Sequence, residues 1–349
     1  MSKKNENRLI ENQTNGSNHL LEEDRVTVID GGFSTQLSCH VQDPIDGDVL
    51  WSARFLSTNP QAVINTHLDF LRAGAEVIIT NTYQASISGF VEHLNLTKEQ
   101  SYDLIKEAVS LAKQARFLFE EQYFEDASRR LRKPLIAGSV GPYGASLHDG
   151  SEYTGSYSTT TSVETMEEYH RPRIEALLEG GVDLLAMETI PCKKEAEMLV
   201  KLLKEYPHIK AWLSFSCSQD GKSISCGEDF QEVVRHCYDL NPDQLVAVGA
   251  NCLAPRLVKS LFDGINNERE NNPIPLIVYP NSGETYNVET GYERWLNRDK
   301  CEPLDLYVKD WLNLGIRWMG GCCRTYAADI SRIKNEVSKW THVHKSIQN

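Results

Sequence analysis

Eight short apolar, β-branched runs punctuate the chain, each followed by a stretch with helical periodicity. The runs are 26–30, 76–81, 135–141, 183–188, 211–216, 246–252, 275–281 and 316–322. Nearly continuous apolarity without strict alternation marks strands covered on both faces. The helical stretches are 59–73, 98–123, 163–179, 193–205, 228–239, 254–265, 302–314 and 325–338. Asn59 and Pro60 supply an N-cap and a first-turn proline for the first of these. Leu104, Ala108, Leu111, Ala115 and Leu118 form one stripe on the second. Gly74, Gly180 and Gly315 stand where helix ends call for a left-handed residue. Eight strand–helix units predict an α/β fold, a single-domain (β/α)8 TIM barrel. A doubly wound open sheet is the alternative, but no Gly-x-Gly-x-x-Gly follows the first run. The longest irregular stretch is 142–161, and loops of that length inside a compact domain are usually functional.

Residues 1–24 are polar and lack the apolar core of a signal peptide, so they read as a disordered tail. The barrel is expected over 25–340 and a short C-terminal tail over 341–349. The formal net charge of −13 argues against capture of nucleic acid or of an anionic membrane. No apolar run approaches the ~18 residues of a membrane span. These features predict a soluble cytoplasmic protein. Nine cysteines are too few for a disulfide scaffold, and their number is odd. In a reducing compartment, clustered cysteines point to metal or catalysis.

A barrel of this kind carries its active site at the C-terminal ends of its strands. Those ends read Asp30-Gly31-Gly32, Asn81-Thr82-Tyr83, Glu188-Thr189, Asn251-Cys252, Asn281-Ser282-Gly283 and Gly320-Gly321-Cys322-Cys323. Cys252 and the Cys322–Cys323 pair end strands six and eight, which lie about 10 Å apart. Thiolates reaching inward from there could meet at one Zn²⁺, leaving a fourth position open. Buried inert cysteines or a strained vicinal disulfide are the alternatives. Gly320 and Gly321 allow close backbone approach or unusual dihedrals. Asp30 and Glu188 are carboxylates at the same end, suited to the ammonium of an amino acid; a cap, a turn or a salt bridge would also explain them. Cys39, Cys192, Cys217, Cys226, Cys237 and Cys301 read as small hydrophobes or exposed thiols. None of the histidines falls at a strand end; His67, His93, His170 and His236 lie in helical stretches and receive no metal role.

With these segments in view, the sequence resembles the homocysteine S-methyltransferases, a zinc-dependent family that makes methionine from homocysteine. The resemblance runs through Ile29–Phe33, Thr80–Gln84, Gly138–Ala145, Asp149–Tyr153, Glu188–Pro191, Gly249–Cys252, Tyr279–Glu284 and Gly320–Arg324. It covers about residues 25–338, in order. It implies one Zn²⁺ per chain on Cys252, Cys322 and Cys323. It also implies homocysteine bound by Asp30, Glu188 and the Gly31 backbone, with Asn81, Tyr83, Asn251 and Asn281 as further substrate contacts.

Homocysteine bound as the fourth zinc ligand would be the nucleophile, as a thiolate. The implied methyl donor is a sulfonium, S-methylmethionine or S-adenosylmethionine. Phe33, Tyr83, Tyr143 and Tyr153 are candidates to hold its positive centre by cation–π contact. Betaine-using relatives carry an additional C-terminal oligomerisation segment, so a monomer is expected here. The alternatives are a betaine- or selenocysteine-using enzyme of the same family, and a non-catalytic zinc-bound barrel acting as a thiol sensor. No nucleic acid or membrane partner is expected.

Overall fold

The computed structural model describes residues 25–123, 132–286 and 295–348. The tail predicted over 1–24 lies outside the described residues. Eight parallel strands form the barrel: β1 (Thr27–Val28), β2 (Val77–Ile79), β3 (Leu135–Val140), β4 (Leu184–Ile190), β5 (Ala211–Phe215), β6 (Leu245–Asn251), β7 (Leu276–Tyr279) and β8 (Ile316–Met319). From β2 to β8 each strand pairs with the next in the chain. Thr27 then pairs with Trp318 and Val28 with Met319, while an Ile29–Val77 bridge joins β1 to β2. The ring is thus closed, as a (β/α)8 barrel and not an open sheet.

The main helices are α1 (Pro60–Arg72), α2 (Lys98–Tyr123), α3 (Val163–Gly180), α4 (Lys193–Leu203), α5 (Phe230–Leu240), α6 (Val258–Phe262), α7 (Val308–Asn313) and α8 (Ala327–Gln348). Asn59 caps α1 by accepting from the Ala62 amide, with Pro60 at the first position. Gly181, not Gly180, takes the left-handed conformation after α3, at φ +78°. Gly180 closes α3, where a Cβ would press on Val109 of α2. Helix α8 runs through the stretch expected as a C-terminal tail as far as Gln348. Short helices at Phe33–Leu37, Phe55–Thr58 and Ile87–Leu94, and an antiparallel pairing of Thr285–Tyr286 with Trp295–Leu296, add to the predicted pattern. No helix among the described residues is long and apolar enough to cross a membrane.

Inward-facing residues of the strands, including Ile29, Val77, Ala137, Trp212, Ile277 and Trp318, fill the barrel. A larger cluster packs strands against helices. Because β1 is short, its end is braced from outside by α1. There Phe33 stacks at a tilt on His67, with ring centroids 4.9 Å apart. His67 is fully buried, and neither ring nitrogen has a partner. Burial pulls its pKa from 6.5 down to about 3. Below pH ~6.5 the unfolded chain therefore takes up a proton that the folded chain refuses. This stability is present above pH 6.5 and is lost as pH falls toward 3, by about 2 kcal/mol at pH 5. Urea unfolding at pH 7 and pH 5 is expected to show a smaller acid loss in His67→Leu than in wild type. An equal loss in both would remove His67 as the cause.

Candidate metal and substrate site

Cys252 follows β6 in the left-handed conformation, at φ +53°. The segment after β8 threads between neighbouring strand ends. The Gly321 amide donates to the Asp30 carbonyl (3.0 Å) and the Cys322 amide to the Pro280 carbonyl (2.8 Å). The Cys323 carbonyl accepts from the Ser282 amide (3.1 Å). A Cβ on Gly320 would collide with the Asp30 carbonyl and one on Gly321 with Thr325. Close approach therefore demands the two glycines; neither has a positive φ.

These turns bring the sulfurs of Cys252, Cys322 and Cys323 within 4.8 Å of one another. Cys252 Sγ lies 3.5 Å from Cys323 Sγ, and Cys322 Sγ lies 3.9 Å from it. Sulfurs arranged tetrahedrally at ~2.3 Å from one zinc stand about 3.8 Å apart. The cluster thus has the spacing of one metal's ligand set. Its thiols are free, so the disulfide alternative falls away. Among the described residues no other Cys, His, Asp or Glu joins the group, which leaves a tetrahedral vertex for a ligand. Sulfur contacts from Cys322 and Cys323 hold the Cys252 thiol well below the ordinary range, and the contacts with Cys252 push both partners up.

Asp30 and Glu188 are buried at the same mouth, and among the described residues neither forms an ion pair. Asp30 Oδ2 accepts from the Ile79 amide at 2.7 Å, which ties the end of β1 to β2. Asp30 Oδ1 is buried with no partner. Burial, reinforced by Glu188, holds the Asp30 carboxyl well above the usual range. Glu188 accepts hydrogen bonds from the Ser139 hydroxyl and, at 3.0 Å, from Tyr279 Oη. Burial pushes its pKa up to about 7. Two buried carboxyl groups, one with an oxygen that has no partner, favour a ligand cation.

The three asparagines have structural engagements. Asn81 spends its oxygen and its nitrogen on Ser52. Asn251 accepts from the Thr189 amide and the Ser214 hydroxyl and donates to the Thr189 hydroxyl. It thereby holds Thr189 in its left-handed conformation at φ +61°. Asn281 accepts from the Gly283 amide and donates to the Cys252 carbonyl, which supports the cysteine turn. In this structure the three amides are engaged with protein partners around the mouth. The buried Tyr83 hydroxyl makes no well-formed hydrogen bond, with Thr189 as its weak partner, and its ring meets Trp51 edge-on at 5.9 Å. Gly31 packs against Phe70, Thr325 and Ile330, too tightly for a side chain.

The 142–161 stretch covers the mouth as three 3-10 turns, Tyr143–Leu147, Ser151–Tyr153 and Ser156–Thr159. Its base is fastened by the fully buried Glu195, which accepts from the Tyr143 amide, His170 Nε2 and the Tyr157 hydroxyl. Arg173, also buried, donates to the carbonyls of Gly141, Thr82 and Tyr83. His170 is thus a packed histidine. Tyr143 serves the loop's base, whereas Tyr153 reaches the cluster, its hydroxyl 3.8 Å from Cys252 Sγ. Cys226 sits beneath the loop against Ser158 and the Gly155 carbonyl. Sequence reasoning missed Ser139, Ser214 and Tyr279, which position Glu188 and Asn251 from inside the barrel. Their only signal is polarity at inward positions of apolar strands.

A family model described as homocysteine S-methyltransferase matches residues 27–337. A betaine-homocysteine S-methyltransferase of Drosophila melanogaster is 45% identical, over 88% of this chain and 92% of its own. Homocysteine S-methyltransferase 1 of Arabidopsis thaliana is 37% identical, over 89% of this chain and 93% of its own. The crystal structure of the homocysteine methyltransferase MmuM from Escherichia coli, in its metallated form, matches with a TM-score of 0.76 at 38% identity. That match covers 92% of this chain and 99% of the other.

Proposed function

The chain belongs to the homocysteine S-methyltransferase family, and on that premise we propose that it uses a sulfonium donor and a zinc ion held by Cys252, Cys322 and Cys323. The observation that carries this reading is the three-sulfur cluster with one vertex open, beside the unfilled Asp30 Oδ1. Zinc bound there would supply the Lewis acidity that keeps a neighbouring homocysteine sulfur in its thiolate form at neutral pH. Asp30 and Glu188 take the homocysteine ammonium and fix its orientation. The barrel wall behind them and the 142–161 loop in front exclude water and set donor and acceptor in one cleft. A new carbon–sulfur bond forms to homocysteine as the donor's methyl–sulfur bond breaks. The electron pair leaves on a neutral thioether, so no residue has to deliver a proton to the leaving group.

S-methylmethionine and S-adenosylmethionine are the donors this reading favours, because a sulfonium loses a thioether more readily than betaine loses an amine. Betaine is the second reading, supported by the name of the Drosophila melanogaster relative. The open vertex disfavours a purely structural zinc barrel, which would close its site with a fourth protein ligand. Zinc-loaded enzyme assayed with homocysteine and each of the three donors decides between them. The sulfonium donors are expected to exceed betaine by at least about tenfold in kcat/KM. Betaine as the best donor would overturn the assignment.

A further inference from the structure

The loop over the mouth carries a second uncompensated carboxylate. Glu152 sits in the Ser151–Tyr153 turn, and its Oε2 is buried with no hydrogen-bond partner. Glu152 forms no ion pair among the described residues. The turn is anchored, not free: Ser216 at the end of β5 donates to the Glu152 carbonyl at 3.0 Å, and the Gly155 amide donates to the Ser151 carbonyl at 2.6 Å. The next residue, Tyr153, reaches the cysteine cluster, its hydroxyl 3.8 Å from Cys252 Sγ, so the turn that carries Glu152 lies over that cluster. The Glu152 charge is felt at Cys252 and at the buried Tyr83 hydroxyl, which has only a weak contact with Thr189. A carboxylate oxygen shut off from water with neither donor nor cation is costly even on a half-buried side chain, and the missing partner is most simply supplied by a ligand.

Homocysteine does not need it. Its ammonium is taken at Asp30 and Glu188, on the strand side of the cleft, whereas Glu152 hangs from the loop side. The donor's sulfonium is also a poor match. A carboxylate on that centre would stabilise a charge that the reaction destroys, favouring ground state over transition state. A group that keeps its charge throughout is better suited. We propose that Glu152 binds a primary ammonium on the methyl donor and so selects sulfonium donors that are themselves amino acids. The inference rests on the sulfonium reading above and deepens it. Betaine, whose nitrogen is fully methylated, offers no such ammonium.

The contact is the same before and at the transition state, so it acts on KM and leaves kcat in place. The test uses zinc-loaded wild type and Glu152→Gln with two donors: S-methylmethionine, and dimethylsulfoniopropionate, a sulfonium carboxylate without an amine. The amine-free compound is read both as a donor and as a competitive inhibitor against S-methylmethionine. Wild type is expected to bind S-methylmethionine at least about tenfold better than the amine-free compound. In Glu152→Gln the KM for S-methylmethionine rises until that preference is within about twofold, with zinc content, homocysteine KM and kcat retained. A variant that weakens both compounds equally, or neither, overturns the proposal while leaving the sulfonium reading standing. Wild type that works best with betaine overturns the sulfonium reading itself.

Discussion

Elemental analysis of the purified wild-type protein is expected to give about one zinc per chain, and the Cys252→Ser, Cys322→Ser double variant close to none. The three sulfurs already stand at the separations of one metal's ligands, so removing two of them leaves no polydentate site. Methyl transfer should fall by more than about a hundredfold, because both the activation and the placement of homocysteine sulfur depend on the cluster. The barrel should survive. Its interior is filled by strand side chains such as Trp212 and Trp318, and a core of this size stands without a metal staple. Circular dichroism of the variant, or of chelated wild type, should retain a cooperative melt. Full zinc occupancy in the double variant would sink the ligand assignment; chelation that unfolds the whole chain would show that the metal is structural.

Glu188→Gln is expected to raise the homocysteine dissociation constant tenfold to a hundredfold, with zinc retained. A charge-assisted hydrogen bond to the substrate ammonium is worth roughly 1.5–3 kcal/mol, which is that range of affinity. The glutamine carbonyl can still accept from one of the Ser139 and Tyr279 hydroxyls while its NH2 donates to the other, so the fold around it is preserved. Burial sets the free-enzyme pKa near 7, and only the ionised form attracts the ammonium. Wild-type kcat/KM for homocysteine should therefore climb as pH rises through about 7, and the variant should lose that step. Titration calorimetry and a pH profile check both parts. An unchanged homocysteine affinity with zinc in place would assign Glu188 to the structure alone.

The sequence exposes the barrel because strands covered on both faces must be apolar throughout, while helices between them keep one polar face. Cysteines 252, 322 and 323 were legible for the same reason: strand ends converge, and polar groups there stand out against apolar runs. Asn81, Asn251 and Asn281 share that location, yet their amides turn back onto Ser52, Thr189 and the Cys252 turn. Position along a strand says that a side chain is near the mouth; it does not say whether backbone atoms nearby have already claimed it. Ser139 and Tyr279 were hidden in the opposite way. They lie within apolar strands, and only the register shows them pointing at Glu188. Glu152 was visible as a residue, but the fact that gives it meaning, a buried polar atom without a partner, exists only in three dimensions. The short helices near Phe33 and Ile87 escaped because a turn or two offers too little periodicity.

The closure of the ring by β1 and β8 has a consequence in time. Thr27 finds Trp318 across about 290 residues, and at 5–20 residues per second a ribosome takes roughly 15–60 s to supply that partner. Through that interval β1 has its β2 neighbour to bridge but none on its other side. The same seam carries Cys322 and Cys323, while Cys252 emerges much earlier. A nascent chain halted before residue 316 thus carries only one of the cluster's three sulfurs, Cys252, and lacks the set that could chelate. Completion of the three-sulfur set and the sealing of the ring therefore fall to the same late stretch of synthesis, and under the proposed zinc assignment a partly made chain lacks two of the three ligands.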